Sequence, residues 1–505
     1  MRRLATSILR AIPGVRLLVP GGPAILGAEV GTWAALSPSL LPRRMWQTAL
    51  NVAGCQAAGH AIAAGIYRSV GGFPVPHRVV AGITGFAFVR SIFRQNEIAD
   101  LVDSPRPTTR DTVLGTLAGT AGYVGCVLVG EIMKVQFGWV RGLIRRAFPN
   151  RPRVPVPALS ALAITATTWL IGTRFLVVRQ LASRVTQKAE ELNLFINPTL
   201  ARPTSPLRSG SPESLMTWES LGAKGREFVS GGSDSAIRIY GGISSSVVDV
   251  LAEMDRTGAW ERDYLIIHIS TGTGWVNPWH VRATEELTDG NVASVSMQYS
   301  YLQSPITYVA DRSTPVTAAR ELITAILARR THGVYIAGES LGAYGAASND
   351  DLLPLVDGAV FTGTPRFTPI ITRVSNPPHL LPVVDGGEHI RFLATPEHLA
   401  HDWKEAPYRE RWESPRIAFV QHPSDPVALF DWPIFFLPPR WMKDRIPGAD
   451  TTPALMWWPL FTGWQMLVDM PTSHRQTGGH GHTYHEELLP IWRAVLGVGD
   501  SDDES

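Results

Sequence analysis

Short β-rich runs alternate with helical patterns between residues 236 and 421, and this alternation constrains the fold of the chain more than any other feature. The expected strands are 236–240, 264–270, 292–300, 333–338, 358–363, 389–394 and 416–421, and the clearest helical patterns among them are 315–330 and 341–349. Strands that are connected through helices form a mainly parallel sheet with helices on both faces. The predicted fold class for this half of the chain is therefore α/β.

Residues 1–185 have a different character, because long apolar runs rich in Gly and Ala fill most of this stretch. Since a helix needs ~20 apolar residues to cross a bilayer, we predict candidate spans at about 17–41, 46–67, 79–93, 112–133 and 158–178. The small residues of "GTLAGTAGYVG" suit close helix packing in lipid. The sequence thus predicts an all-α transmembrane domain of four to five spans, and the alternative is a bundle of buried helices in a soluble protein.

The domain organisation follows from these changes in composition. A stretch rich in Pro, Ser and Arg indicates an irregular linker over 186–225, and the α/β domain is expected over 226–497. Within that domain an aromatic-rich insertion covers about 428–470, and an acidic tail follows at 498–505.

Composition excludes several classes of protein. A formal net charge of +2 provides no basic face for nucleic acid, and 45% hydrophobic residues argue against a disordered acidic chain. Only two cysteines, Cys55 and Cys126, are present, and both lie in apolar stretches. A disulfide framework and a cysteine-ligated zinc site are therefore not expected, and nothing in the sequence calls for a metal or an organic cofactor.

The segment "GVYIAGESLGAYGA" places Ser340 in a turn between a strand and a helix. A bare G-x-S-x-G is weak evidence in a chain with 46 glycines, but here Val334–Ala337 are expected to form a strand, Gly338–Gly342 a sharp turn, and Leu341 the start of a helix. This is the position of the nucleophile elbow in α/β-hydrolases, where flanking glycines leave room for a strained turn. Ser340 is therefore the predicted nucleophile.

A nucleophilic serine needs a histidine base and an acid that orients it, and in this class of fold the chain order is Ser, acid, His. Asp425 comes directly after the strand expected at 416–421, and Pro426 ends that strand. Asp431 lies further into the following segment, and Asp357 precedes its own strand. We therefore predict that Asp425 is the acid.

A glycine-rich loop near the C-terminus offers three candidate bases, His480, His482 and His485. Thr483 and Glu486 predict a capping box and a helix that begins at Tyr484, which would place His485 inside the helix. His482 is preferred slightly over His480 as the base. A histidine cluster also suggests a metal site, but no matching carboxylate or cysteine spacing accompanies it.

Two backbone N–H groups are expected to bind the oxyanion of the reaction. One belongs to Leu341 at the start of the helix, and the other to Thr271 or Gly272 in "IHISTGTGWVNP", a loop after an early strand. A glycine-rich loop could instead hold phosphate, but the spacing G-x-G-x-x-G is absent.

Several separate motifs together resemble one known family. "WESLGAKGREFV", "STGTGWVNP", "MQYSYLQS", "GESLGAYG", "VDGAVFTGTP" and "GHGHTY" are similar to segments of the actinobacterial α/β-hydrolase family whose members carry an N-terminal multi-span transmembrane domain. The resemblance implies an α/β-hydrolase fold and a membrane-anchored serine hydrolase. It supports Ser340 and the histidines of "GHGHTY", and it implies no particular substrate.

The insertion before the histidine loop bears on the substrate. It is crowded with large apolar residues, namely Trp432, Phe435, Phe436, Trp441, Trp457, Trp458, Phe461 and Trp464. An aromatic cap suits a long acyl chain or a lipid ester. The alternatives are ordinary core packing and an aromatic belt that enters the membrane interface.

The leading hypothesis is an integral membrane serine esterase, lipase or acyltransferase that acts on an ester of a lipid or another apolar acyl donor. We expect it in the plasma membrane, with a slight preference for an extracytoplasmic catalytic domain from the distribution of Arg and Lys. The alternative is a membrane transport or scaffold protein whose hydrolase-fold domain is not catalytic. The sequence does not predict the oligomeric state.

Overall fold

The computed structural model describes residues 23–70, 77–147, 187–301, 311–374, 384–385, 389–399, 412–442 and 450–498. These residues fall into two compact units. The helical unit takes the described residues within 1–97, 106–188 and 460–468, and the α/β unit takes those within 98–105, 189–459 and 469–505. The domain boundaries near residues 185 and 225 stay predictions.

The described part of the helical unit contains four helices of 14 residues or more. They are α1 (Pro23–Leu36), α2 (Met45–Val70), α3 (His77–Leu101) and α4 (Thr109–Ala147). Each overlaps one of the first four candidate spans, and the fifth, 158–178, lies outside the described residues.

Among the described residues, one stretch, Thr109–Gly130 of α4, is long and apolar enough to cross a membrane. Ala24–Leu36 is apolar but shorter than a span. Polar and charged side chains within α2 and α3, such as Gln56, Arg90 and Arg94, lower the mean hydropathy of those helices. The described helices therefore do not support four to five spans by length and hydropathy.

Glycines bring the helices of this unit into backbone contact. A Cβ atom on Gly27 would lie 2.1 Å from the carbonyl oxygen of Gly59, and one on Gly119 would lie 2.5 Å from that of Ala49. Since neither position has room for a side chain, α2 packs closely against both α1 and α4, as small residues allow.

The α/β unit is built on an eight-stranded sheet. Its strands are β1 (Ile237–Gly241), β2 (Tyr264–Ile269), β3 (Val292–Met297), β4 (Gly333–Glu339), β5 (Gly358–Thr362), β6 (Val384–Asp385), β7 (Ile390–Leu393) and β8 (Arg416–Val420). Their order is β1-β3-β2-β4-β5-β8-β7-β6, and every neighbouring pair is parallel except β6 and β7. The seven expected strands are all present, and the two-residue edge strand β6 was not expected from the sequence.

The other described helices lie before, between and after the strands. They are α5 (Gly222–Val229), α6 (Val247–Thr257), α7 (Pro278–Leu287), α8 (Ser313–Leu327), α9 (Leu341–Ala347), α10 (Pro369–Val374), α11 (Pro426–Leu429), α12 (Phe461–Ser473) and α13 (Leu488–Leu496). Local signals explain several starts: Ser246 and Asp249 form a capping box at α6, and Asn277 caps α7 ahead of Pro278.

The last helix begins later than its capping signal predicted. α13 starts at Leu488 and not at Tyr484. The hydroxyl of Thr483 donates to the carbonyl of Ser473 instead of capping a helix, and the ring of Tyr484 is buried against the sheet. His485 consequently lies in the loop, outside the helix.

The register of the parallel strands defines the edge at which the site forms. Glu339 at the end of β4 pairs with Thr362 of β5, which in turn pairs with Val420 of β8. The residues that follow these strands therefore leave the sheet side by side at its carboxyl edge, where open α/β sheets hold their ligands.

Aromatic rings fill the core beneath this edge. Phe392 stacks on Phe419 with ring centroids 4.9 Å apart, and Phe361 lies 5.2 Å from Phe419. All three side chains are fully buried. Phe419 of β8 thus links its two neighbouring strands through direct ring contacts.

We predict that Phe419→Ala lowers the free energy of unfolding by about 3–5 kcal/mol, because it removes a large buried ring and leaves a cavity. Equilibrium urea denaturation of the full chain measures the change. Phe436→Ala is the matched control, since that ring is 70% exposed, and it should change the value by less than about 1 kcal/mol. Equal losses in the two variants would contradict the assigned core.

Candidate functional site

Ser340 occupies a strained turn between β4 and α9. Its backbone has φ 53° and ψ −116°, a conformation that residues other than glycine rarely adopt, and its N–H donates to the carbonyl of Thr362 at 2.9 Å. A Cβ on Gly338 would lie 2.8 Å from the nitrogen of Ala343, and one on Gly342 would lie 2.1 Å from the carbonyl oxygen of Ile269. The two glycines of G-x-S-x-G are therefore required by the close approach of the backbone on both sides of the serine.

Asp425 and His482 form a buried pair. The Asp425 Oδ2 atom lies 2.7 Å from His482 Nδ1 and accepts a hydrogen bond from the Tyr484 hydroxyl at 2.7 Å. Its Oδ1 accepts from the N–H of Val427 at 2.8 Å, because Asp425 is the N-cap of α11. The carboxylate is fully buried, so these three donors replace its hydration.

Ser340 and His482 both contact the junction of Thr362 and Gly363. Gly363, with φ 53°, faces the imidazole so closely that a Cβ there would lie 2.3 Å from His482 Cε1. The N–H of Ser340 is bonded to the preceding residue, Thr362. His482 Nε2 is buried and has no hydrogen-bond partner among the described residues. The nitrogen that a general base would use is thus left unoccupied by the protein.

The environment of His482 favours its protonated form. Burial pulls the pKa of the imidazole down, but the charge and the hydrogen bond of Asp425 outweigh burial and hold the pKa above its ordinary value. A histidine held in this way can accept a proton and remain charged while a reaction proceeds.

The other candidate residues lie elsewhere. His480 Nδ1 pairs with Asp450 Oδ2 at 3.0 Å, and His485 stacks on Trp279 with centroids 4.9 Å apart. Asp431 caps a short turn at Trp432, and Asp357 binds the N–H of Val334 at the opposite end of β4, together with Arg330. Asp425 and His482 are therefore the acid and the base candidate that the structure brings together.

His480 belongs to a network that fixes the histidine loop. Its partner Asp450 also accepts a hydrogen bond from the hydroxyl of Ser424, whose oxygen accepts from the N–H of Gly481 at 2.8 Å. Within the part of the chain that the structure describes, no group of three or more His, Cys, Asp or Glu side chains is arranged to hold a metal ion.

Sequence reasoning missed the residues that support the pair. His422 contacts the carbonyl of Gly481 through Nδ1 at 2.9 Å and Glu487 through Nε2 at 3.1 Å, and it stacks on Tyr484 with centroids 4.2 Å apart. Burial lowers the pKa of His422, but Glu487 outweighs it and the pKa is raised. His422 lies three residues before Asp425 and Glu487 five residues after His482, and this nearness is the one sequence signal that could have indicated them. Neither residue belongs to a motif of known spacing.

One of the expected oxyanion donors is already engaged. The N–H of Thr271 donates to the carbonyl of Trp275 at 2.9 Å, and the N–H of Gly274 donates back to the carbonyl of Thr271 at 2.8 Å. Neither Leu341 nor Gly272 donates its N–H to a protein acceptor within the described segments. Of the two alternatives in this loop, Gly272 is thus the one left able to bind a substrate oxygen.

A parallel sheet with a serine in a strained turn after a central strand, and an acid–histidine pair at the same edge, define the α/β-hydrolase class of fold. The chain belongs to the alpha/beta-hydrolase family: the model of that family matches residues 237–505, and the model of the alpha/beta-hydrolase family N-terminus matches residues 36–233. No curated protein and no protein of solved structure matches the chain.

We predict that Asp425→Asn lowers the pKa of His482, because the burial of the imidazole is then opposed only by Glu339 and no longer by the charge and the hydrogen bond of Asp425. NMR titration of the histidine side chains measures the pKa. Glu487→Gln is the matched control: it should lower the pKa of His422 and leave that of His482 in place. An unchanged His482 titration in Asp425→Asn would show that Asp425 does not control this imidazole.

Proposed function

We propose that the protein is a serine hydrolase that cleaves or transfers the acyl group of a lipid ester or another apolar ester. The observation that carries the proposal is the 2.7 Å contact between Asp425 and His482, with the second imidazole nitrogen unoccupied beside the strained turn of Ser340. A buried acid, a histidine of raised pKa and a serine on a sharp turn are the three parts of this chemistry.

In the proposed mechanism the Ser340 hydroxyl oxygen attacks the acyl carbonyl carbon while His482 Nε2 takes the hydroxyl proton. The N–H groups of Leu341 and of Gly272 in the loop after β2 stabilise the oxyanion. His482 then gives the proton to the leaving alkoxide, and the acyl group stays on the serine. Attack by water on this ester completes hydrolysis, and attack by an alcohol completes acyl transfer.

Exposed aromatic residues close to Asp425 in the chain support an apolar substrate. Phe430, Trp432 and Phe435 pack together just after α11, and Trp432 stacks on Phe435 with centroids 5.7 Å apart. Trp432 is 60% exposed, and Phe436 and Leu437 are exposed as well. An exposed apolar surface a few residues after Asp425 in the chain is suited to bind an acyl chain.

The rest of the insertion divides between core and surface. Trp441 and Phe461 are buried, and the indole of Trp457 donates to the carbonyl of Ile434 at 2.7 Å. Trp464 belongs to the helical unit, where its indole lies so close to Gly54 that a Cβ there would meet it at 2.5 Å. Core packing therefore accounts for these residues, and the exposed group at 432–437 supports the proposed acyl site.

The distribution of side chains in the helical unit supports an integral membrane protein. Phe86 and Phe93 of α3 are 65% and 69% exposed, whereas the polar residues Gln47, Asn51 and Gln56 of α2 are fully buried. This arrangement is the reverse of that in water-soluble bundles and suits helices that face lipid. We extend the proposal to the plasma membrane, with the catalytic domain on its outer side as the distribution of Arg and Lys favours.

Several buried polar side chains of this unit bind one another. The Gln56 amide donates to the hydroxyls of Thr32 at 3.1 Å and Thr120 at 3.4 Å, which connects α2 to α1 and α4. The hydroxyl of Thr84 donates to the buried carboxylate of Glu29 at 2.8 Å. Polar groups that are satisfied inside a bundle leave its outside free to face hydrocarbon.

Labelling of the purified protein by a lipophilic fluorophosphonate tests the catalytic proposal. We expect the wild type to be labelled, Ser340→Ala to be unlabelled, and His482→Ala to react slower by a factor on the order of 10³ or more. His480→Ala should retain labelling within about tenfold, because that side chain only fixes the loop. Ser348→Ala, at the far end of α9, is the matched serine control and should react like the wild type.

Two outcomes would overturn this proposal. Persistent labelling of Ser340→Ala would identify another nucleophile. A folded wild type that resists the reagent would favour a hydrolase-fold domain without catalysis in a transport or scaffold protein.

The native cysteines test the membrane proposal. Cys126 lies exposed on α4 within Thr109–Gly130, and Cys55 is buried. We expect a charged, membrane-impermeant maleimide to leave Cys126 unmodified in intact vesicles and to modify it after solubilisation in mild detergent, because lipid excludes the reagent. Mass spectrometry of the tryptic peptides measures both sites, with Cys55 as the control for unfolding. Equal modification of Cys126 in vesicles and in detergent would contradict the placement of α4 in the membrane.

A further inference from the structure

A second carboxyl group lies beside the proposed nucleophile. Glu339 is the last residue of β4, immediately precedes Ser340, and is only 7% exposed. Its Oε2 atom accepts hydrogen bonds from the Asn277 amide at 2.5 Å and from the Thr362 hydroxyl at 3.3 Å. Burying a carboxyl group costs free energy unless hydrogen bonds or charges compensate for the lost hydration. A buried titratable group at this position is therefore a candidate for a functional role.

Asn277 connects Glu339 to two other parts of the site. Its Oδ1 accepts from the N–H of Trp279 and so caps α7, while its Nδ2 donates both to Glu339 and to the carbonyl of Tyr484 at 3.0 Å. The same side chain therefore joins the end of β4, the end of the loop that follows β2, and the histidine loop.

The titratable groups around Glu339 differ in the charge that they can carry. Asp425 adds a second negative charge, and burial raises the pKa of Tyr484 so that its phenol stays neutral. His268 and His280 line a small cavity together with Glu339, but burial lowers the pKa of His268 well below its ordinary value and that of His280 to about 3. Of these neighbours, His482 is the one that gains a positive charge in the working pH range.

We propose that Glu339 is a positioning residue of the hydrolase proposed above: its carboxylate stabilises the protonated form of His482, and through Asn277 it holds the loop after β2 at the serine turn. The inference rests on the proposed function, because its role is defined by the proton that His482 takes from Ser340.

The ionisation of Glu339 gives the proposal a measurable signature. Burial raises the pKa of Glu339 to about 7, against the opposing pull of His482. The carboxylate is therefore charged above about pH 7, where it favours a proton on His482, and it is neutral well below that pH. Because the imidazolium forms as the serine attacks, the charge accelerates the step at alkaline pH.

The pH dependence of fluorophosphonate labelling between pH 5 and 10 tests the proposal with Glu339→Gln, which keeps the shape and removes the charge. We expect the midpoint of the acid limb to move down by about one pH unit, and the alkaline plateau to fall by about tenfold. The plots of labelling rate against pH for the wild type and for Glu339→Gln therefore cross. Glu339→Asp, which keeps the charge, should retain a midpoint close to that of the wild type.

Glu253→Gln is the matched control, because Glu253 is a buried glutamate of the same unit that binds Ser214 and Arg256 and makes no contact with the site. Its midpoint should equal that of the wild type. A Glu339→Gln variant that loses rate equally at every pH, with an unmoved midpoint, would reduce Glu339 to a structural residue. A folded wild type without labelling at any pH would instead overturn the proposed function itself.

A second measurement needs no substitution. The NMR titration of His482 in the wild type should show two steps, one for its own proton and one near pH 7 from Glu339, because two interacting groups titrate together. A single-step titration would overturn the proposal even if every Glu339 variant failed to fold.

Discussion

The buried carboxylate of Asp425 is the group on which the whole site depends. An isolated charge in the interior would be expensive, so the chain surrounds this carboxylate with donors from three directions: the first turn of α11, the hydroxyl of Tyr484 and the imidazole of His482. Two of these donors belong to the loop before α13, which must therefore close over the end of β8. His422 and Ser424 both precede Asp425 in the chain and bind the same loop, His422 at the carbonyl of Gly481 and Ser424 at its N–H, so both backbone groups of Gly481 are held.

The parallel register brings these local contacts together in the geometry of the candidate site. Because β4, β5 and β8 end level with one another, Ser340, Gly363 and the segment that leads to Asp425 leave the sheet at one edge. Each position then has a requirement that only certain residues meet. Gly363 must lack a side chain to admit His482, Gly342 must lack one to approach Ile269, and Ser340 accepts a strained backbone that presents it at the turn.

The features of the fold and of the candidate site that could be predicted are those whose sequence signals lie within a few residues of each other. The strands, the serine turn and Asp425 follow from apolar runs, glycines and a proline that lie within a few residues of each other. The choice of His482 over His480 depended on Asp450, thirty residues earlier in the chain and outside any motif. The late start of α13 had a similar cause: Tyr484 is fixed by Asp425 and Thr483 by Ser473, and these tertiary contacts override the capping signal. Glu339 was not predicted, because no sequence pattern indicates that the residue between Gly338 and Ser340 is buried.

In the helical unit, too, buried polar side chains are held by hydrogen bonds. Unlike in a water-soluble bundle, large apolar side chains of this unit lie exposed on its outside. A mean hydropathy counts Gln47, Asn51 and Gln56 against α2 as if lipid touched them, although these side chains lie inside the bundle. In the proposed membrane setting a bilayer would contact only the exposed faces, and on α3 the exposed side chains include Ile83, Phe86 and Phe93. The exposure of individual side chains therefore supports the membrane proposal for α2 and α3, although the mean hydropathy of these helices does not. The hydrogen bonds of Gln56 to Thr32 and Thr120 explain how such helices keep a polar interior, since each buried amide proton that finds a hydroxyl no longer needs water.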